Sequence, residues 1–163
     1  MKNVVIFDLD NTLACLKHRL HLLPKPDLHL TSSWKEFNKA CINDAPIWDT
    51  IDVLNAMVAA GKAVIIMTGR SDDAFEETRY WLDQVGVLDK VSLIMRNKND
   101  CRKDTVIKEE WLRSIGLHNI LCCFDDYPSV ISHFRSLGLT VYDVVDHGDI
   151  SERSDLQSHG AEK

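Results

Sequence analysis

Asp8 and Asp10 follow a short apolar run, Val4 to Phe7, in the sequence Phe7-Asp8-Leu9-Asp10-Asn11-Thr12-Leu13. Two carboxylates this close repel each other unless a cation or a proton lies between them. A second pair, Asp125 and Asp126, follows another apolar run, Ile120 to Phe124. One such pair also reads as a turn with side-chain caps. Two pairs arriving from different strands predict a hard cation with oxygen ligands, Mg²⁺ by preference.

Other residues point to phosphate. The run Ala63 to Met67 ends in Thr68-Gly69-Arg70. A hydroxyl and a glycine there offer donors to a phosphate oxygen. Gly69 allows close backbone approach, and the helix expected to follow presents its positive N-terminus. Lys108 lies one turn inside a helix expected from Asp104, while Lys103, Glu109 and Glu110 read as its solvated face. Arg70, Arg96 and Arg102 are candidates to grip a phosphate bidentately, with plain surface arginine as the alternative. His18-Arg19 and Trp34 could contact a sugar or base, and Trp34 could equally pack an insert onto the core.

The elements that must position these residues are legible as apolar runs. Strands are expected at Val4 to Phe7, Ala63 to Met67, Val91 to Met95, Ile120 to Phe124 and Thr140 to Val144. Short continuous apolar runs suit strands buried on both faces of a parallel sheet. Helical periodicity lies between them: Ile47, Ile51, Leu54 and Val58 before Gly61; Phe75 to Leu82 before Gly86; Asp104, as a cap, to Ser114 before Gly116; and Pro128 onward to Gly138. Ser33 and Glu36 have capping-box spacing. Strands alternating with helices predict an α/β fold, a doubly wound Rossmann-like parallel sheet. Ligands of such sheets bind beyond the carboxyl ends of the strands, where both aspartate pairs fall.

Residues 1–146 read as one domain carrying a short insert at 13–46, followed by a polar, mobile tail at 147–163. The 163 residues carry a formal net charge of −6, which argues against broad nonspecific wrapping of nucleic acid but not against a local phosphate grip. The five cysteines include no C-x-x-C and are expected to be reduced packing residues; Cys122 and Cys123 should point to opposite faces of a strand. No apolar run approaches the roughly 20 residues that span a bilayer. No secretory leader is evident, so a cytoplasmic location is expected.

In that order and on those strands, D-L-D-N-T, T-G-R, a helix lysine and F-D-D resemble the haloacid dehalogenase (HAD) superfamily of phosphotransferases, over roughly residues 3–149. Met95-Arg96, Asn99 to Asp104 and V-I-K-E-E resemble more narrowly the 3′-phosphatase domain of bacteriophage polynucleotide kinase/phosphatase. The resemblance implies a HAD-like fold with little or no cap. It makes Asp8 the nucleophile that forms an aspartyl-phosphate, and Asp10 the general acid and then base. It makes Thr68 a hydrogen-bond donor to the phosphoryl group and Lys108 its charge partner. Gly69, Arg70, Arg96 and Arg102 would line the substrate. Mg²⁺ would be held by Asp8, the backbone carbonyl of Asp10 and Asp126, with Asp125 a direct or indirect ligand.

The expectation is therefore a Mg²⁺-dependent phosphomonoesterase acting on 3′-phosphate ends of nucleic acid. A nucleoside or deoxynucleoside monophosphate phosphatase is the alternative. A noncatalytic phosphoryl-binding or interaction module is the alternative of another class, though a pure binder has no need of Asp10. No G-x-x-x-x-G-K-[ST] occurs, so P-loop kinase chemistry is not expected of these residues. The sequence points to no membrane and to no particular protein partner.

Overall fold

The computed structural model describes residues 1–148. The chain runs β1 (Val4–Phe7), β2 (Ala14–Cys15), α1 (Lys35–Lys39), β3 (Ala45–Pro46), α2 (Trp48–Ala59), β4 (Ala63–Ser71), α3 (Phe75–Gln84), β5 (Ser92–Arg96), α4 (Asp104–Ile115), β6 (Ile120–Asp125), α5 (Pro128–Ser136) and β7 (Val141–Asp143). Five strands form one sheet in the order β5-β4-β1-β6-β7. Every pairing in it is parallel. This is the doubly wound sheet expected from the alternating runs.

Each face of the sheet carries its own core. Val5, Phe7 and Cys122 pack with Ile51 and Leu54 of α2 and with Trp81 and Leu82 of α3. Ile6 and Cys123 pack on the other face with Leu112 of α4 and with Ile131 and Phe134 of α5. The adjacent cysteines thus divide between the two faces, as strand alternation requires. All five cysteines are free thiols. Gly61 takes φ +74° after α2, a conformation open to glycine at little cost.

The insert has more structure than its irregular sequence suggests. β2 and β3 pair antiparallel, bringing Ala14 opposite Pro46 and so closing the insert at its base. Between them, 3₁₀ turns and α1 enclose a small apolar cluster of Leu16, Trp34 and Phe37. Trp34 is buried there and its Nε1–H donates to Leu28 O at 3.0 Å, so its role is packing. The expected Ser33 capping box does not form: Ser33 lies inside a 3₁₀ turn, and α1 begins after Trp34 without a side-chain cap. Asp104 is likewise the first residue of α4 rather than its cap.

Candidate active site

Strand register brings the chemistry to one edge. Phe7 pairs with Ile66 on β4 and with Phe124 on β6. Asp8, just beyond β1, therefore stands at nearly the same level as Thr68 on β4 and Asp125 at the end of β6, and Asp8 N–H donates to Phe124 O at 2.9 Å. Asn11, at φ 59°, turns the chain back beyond Asp10. Asparagine tolerates that left-handed conformation better than most residues.

Asp8, Asp125 and Asp126 are all buried, and each offers an oxygen within 4.8 Å of the others. From α4, Lys108 Nζ donates to Asp8 Oδ1 at 2.8 Å and to Asp125 Oδ2 at 3.1 Å. Tyr127 N–H donates to Asp125 Oδ1 at 2.9 Å. Burial raises the Asp8 pKa well above the usual range; Lys108 opposes this, while Asp125 and Asp126 add to it. Burial and Asp125 push Asp126 up to about 6. Burial likewise raises Asp125 despite Lys108. Burial alone would lower the Lys108 pKa, but Asp125 and Asp8 outweigh it and hold the ammonium charged. Three buried carboxylates against one ammonium leave an excess of negative charge. A divalent cation with oxygen ligands would offset it, so the donor set fits a hard metal ion.

Asp10 lies outside that cluster. Arg70 Nη2–H and Arg19 Nη2–H both donate to its Oδ1, the former at 2.6 Å. Burial would raise the Asp10 pKa, but Arg70 and Arg19 outweigh it and hold the carboxyl far below the usual range. Its carboxylate is therefore an arginine partner rather than a member of the three-carboxylate cluster.

The arginines expected to face substrate are placed differently. Arg70 is only 2% exposed and also donates to Thr78 Oγ1 at 2.9 Å. Arg96 is fully buried: its guanidinium donates to Gly69 O, Asp100 O, Arg102 O and Asp104 Oδ1. Both are internal braces, and neither presents a free fork to a phosphate. Arg102 is exposed and pairs with Asp100 and Glu110. It edges an open groove of about 680 Å³ with Asn97, Asn99, Asp100 and Cys101.

Thr68 is buried, and its Oγ1 accepts from Arg70 N–H at 3.1 Å. The strand continues to Ser71, and α3 starts only at Phe75, so Gly69 is not at a helix N-terminus. Its reason is close approach. A Cβ at Gly69 would lie 2.2 Å from Asp104 Oδ1, which Arg96 holds in place.

Three further residues belong to this arrangement. Arg19 is fully buried against Asp10, with Nε and Nη2 on the Asp44 carboxylate at 2.8 Å, rather than facing a sugar or base. Asp44 also accepts from His18 Nε2 at 2.7 Å. No local pattern marks the Arg19–Asp44 contact, between residues 25 positions apart. The third, His147, begins the expected tail but lies in the site, with Nε2 2.8 Å from Asp126 Oδ2. Residues 149–163, the rest of that tail, lie outside the described residues.

Residues 2–150 match the family model for the polynucleotide kinase PNKP phosphatase domain. The chain belongs to this family. It is a phosphatase of the HAD type, built on a parallel α/β sheet. A chain in the structure of the Pnkp1/Rnl/Hen1 complex is 28% identical, with a TM-score of 0.73, over 91% of this chain and 47% of that one. A protein of Autographa californica nuclear polyhedrosis virus, whose name suggests a bifunctional polynucleotide kinase/RNA ligase, is 27% identical over 144 residues. The match covers 86% of this chain but only 19% of the viral protein. The chain therefore spans less than half of either relative. A haloacid dehalogenase-like hydrolase from Streptococcus pneumoniae, 15% identical with a TM-score of 0.62 over 95% of this chain and 89% of that one, shares the fold. Among the described residues, no helix is long and apolar enough to cross a membrane.

Proposed function

We propose that this domain removes the phosphate from 3′-phosphorylated ends of nucleic acid through an aspartyl-phosphate on Asp8, with Mg²⁺ bound. The observation that carries this reading is the family match over a stretch containing the whole candidate site. Relatives associated by name with polynucleotide kinase and RNA repair support the nucleic-acid end as substrate.

Asp8 and Asp126 would hold the cation together with the backbone carbonyl of Asp10. Both oxygens of Asp125 already accept hydrogen bonds, from Lys108 and Tyr127 N–H, which favours an indirect role for Asp125. When bound, Mg²⁺ supplies positive charge against the substrate's phosphoryl oxygens and offsets the carboxylate repulsion.

An oxygen of Asp8 attacks phosphorus, and the bond from phosphorus to the 3′ oxygen breaks. Asp10 gives that leaving oxygen a proton. Water then attacks phosphorus, Asp10 takes its proton, and the bond to Asp8 breaks to release inorganic phosphate. Arg19 and Arg70 favour the ionised Asp10 that this second half needs. For the first half, the incoming phosphate's negative charge raises the pKa of Asp10 again. Lys108 stabilises the charge on the transferring group and keeps Asp8 aimed, while the Thr68 hydroxyl donates to a phosphoryl oxygen. Arg102, the exposed arginine of the three, contacts the polymer beyond the terminal phosphate.

The test is phosphate release, with and without Mg²⁺, from 3′- and 5′-phosphorylated oligonucleotides and from 3′- and 5′-deoxynucleoside monophosphates. The expected result is Mg²⁺-dependent preference for the 3′-phosphorylated oligonucleotide, with Asp8→Asn at least about a thousandfold slower. Preference for mononucleotides would reassign the substrate to nucleotides and keep the mechanism.

A further inference from the structure

The parallel pairing of β7 with β6 sets Asp143 opposite Asp125, and Val144 N–H donates to Asp125 O at 3.2 Å. The chain leaving β7 therefore runs beside Asp125 and Asp126. Two tight turns shape it. Val145 N–H donates to Asp143 Oδ1 at 3.2 Å, and Gly148 N–H donates to Asp146 Oδ1 at 2.9 Å. Between them His147 turns inward, with Nε2 2.8 Å from Asp126 Oδ2. The imidazole is 7% exposed and the carboxylate 5%.

We propose that His147 is a positioning residue for the cation site: its Nε2–H fixes the Asp126 carboxylate through Oδ2 and leaves Oδ1 for the ion. This rests on reading Asp8, Asp125 and Asp126 as that site. Lys108 holds Asp8 and Asp125, and Tyr127 N–H holds the second oxygen of Asp125. The Asp126 carboxylate receives the corresponding donor from His147, on an element distant in sequence. A carboxylate fixed by an outer hydrogen bond does not have to be reoriented when the ion arrives. Removing such a partner typically costs about 10–100-fold in metal affinity.

The test uses Mn²⁺ as the probe, with its affinity for the whole chain read by electron paramagnetic resonance. Wild type, His147→Ala and His147→Gln are compared, and near-ultraviolet circular dichroism checks their folding. Gln is included because its amide retains an N–H donor. The expected result is a Mn²⁺ dissociation constant about 10–100-fold weaker in His147→Ala, and largely restored in His147→Gln. In parallel, the Mg²⁺ concentration giving half-maximal phosphate release should rise in His147→Ala, with much of kcat recovered at high Mg²⁺. Unchanged Mn²⁺ affinity in His147→Ala would overturn the inference and leave the metal reading standing. Equal weakening in both variants would also overturn it, because a hydrogen-bond donor would not be what matters. Failure of wild type to bind Mn²⁺ would overturn the metal reading and the inference together. Mn²⁺ binding without nucleic-acid dephosphorylation would change the substrate alone.

Discussion

A single ammonium, Lys108 Nζ, bridges carboxylates on two adjacent strand ends: Asp8 Oδ1 beyond β1 at 2.8 Å and Asp125 Oδ2 on β6 at 3.1 Å. A helix side chain thus ties the proposed nucleophile to a second carboxylate of the cluster proposed to hold the cation. Lys108→Met keeps most of the volume and removes the charge. We expect turnover to fall by at least about a hundredfold, measured by single-turnover phosphate release. Stability of the metal-free protein should fall by about 3–5 kcal/mol in urea titration, because two buried carboxylates lose their partner.

Arg19 should matter to stability as well as to turnover. It is fully buried and holds Asp10 and Asp44 together. Arg19→Ala is expected to cost about 3–5 kcal/mol at pH 7. Asp10 has a lowered pKa in the folded protein, so its stabilising contribution is present above the ordinary carboxyl pKa of about 4 and is lost as pH falls below it. The gap between wild type and Arg19→Ala should therefore narrow in acid. Urea titrations at pH 7 and pH 3 would check it.

The three-carboxylate cluster proposed to hold metal carries the opposite pH signature. Asp126 has a folded-state pKa raised to about 6. Below the ordinary carboxyl pKa of about 4 its proton is bound in both states and costs nothing. As pH rises from about 4 to about 6, the unfolded chain releases that proton first, so metal-free stability falls, by about 3 kcal/mol for this group. Added Mg²⁺ should raise the melting temperature more at pH 7.5 than at pH 5, since protons and metal compete for the same oxygens. In the metal-free protein, Asp126→Asn should flatten the decline between pH 4 and pH 6.

Gly69→Ala tests the junction between β4 and α4. The added carbon would meet Asp104 Oδ1 at 2.2 Å, and Arg96 leaves that carboxylate little room to retreat. We expect a loss of about 1–3 kcal/mol, measured by thermal or urea unfolding. Asp104→Ala in the same background should recover part of it.

Much of the framework is readable from residue order because burial on both sheet faces demands continuous apolar runs. Val4–Phe7 and Ile120–Asp125 are such runs, and each delivers aspartates to the carboxyl edge. The position of Lys108, just over one turn into α4, is equally local. What local pattern does not carry is the choice of partner. Arg70 and Arg96 look like phosphate grips by type, yet Asp10 claims the one guanidinium and Gly69 O and Asp104 the other. Arg19 finds Asp44 across the insert, and His147 finds Asp126 only because β7 pairs with β6. The insert's folded form is hidden for the same reason: β2 and β3 are two residues each, with 29 residues between them, and are too short to show a period.

The buried Arg19 makes the insert more than a decoration on the sheet. The carboxylates proposed to hold metal, and the lysine beside them, come from the strand ends, the helices and the turn after β6. The proposed proton carrier, by contrast, is gripped by a side chain from residues 13–46. Because the backbone carbonyl of Asp10 is also proposed to face the ion, Arg19 joins the insert to both parts of the proposed chemistry, beside Arg70 of β4. A change within the insert that moves Arg19 is therefore expected to reach the proposed proton carrier and, through the same residue's backbone, the proposed ion site.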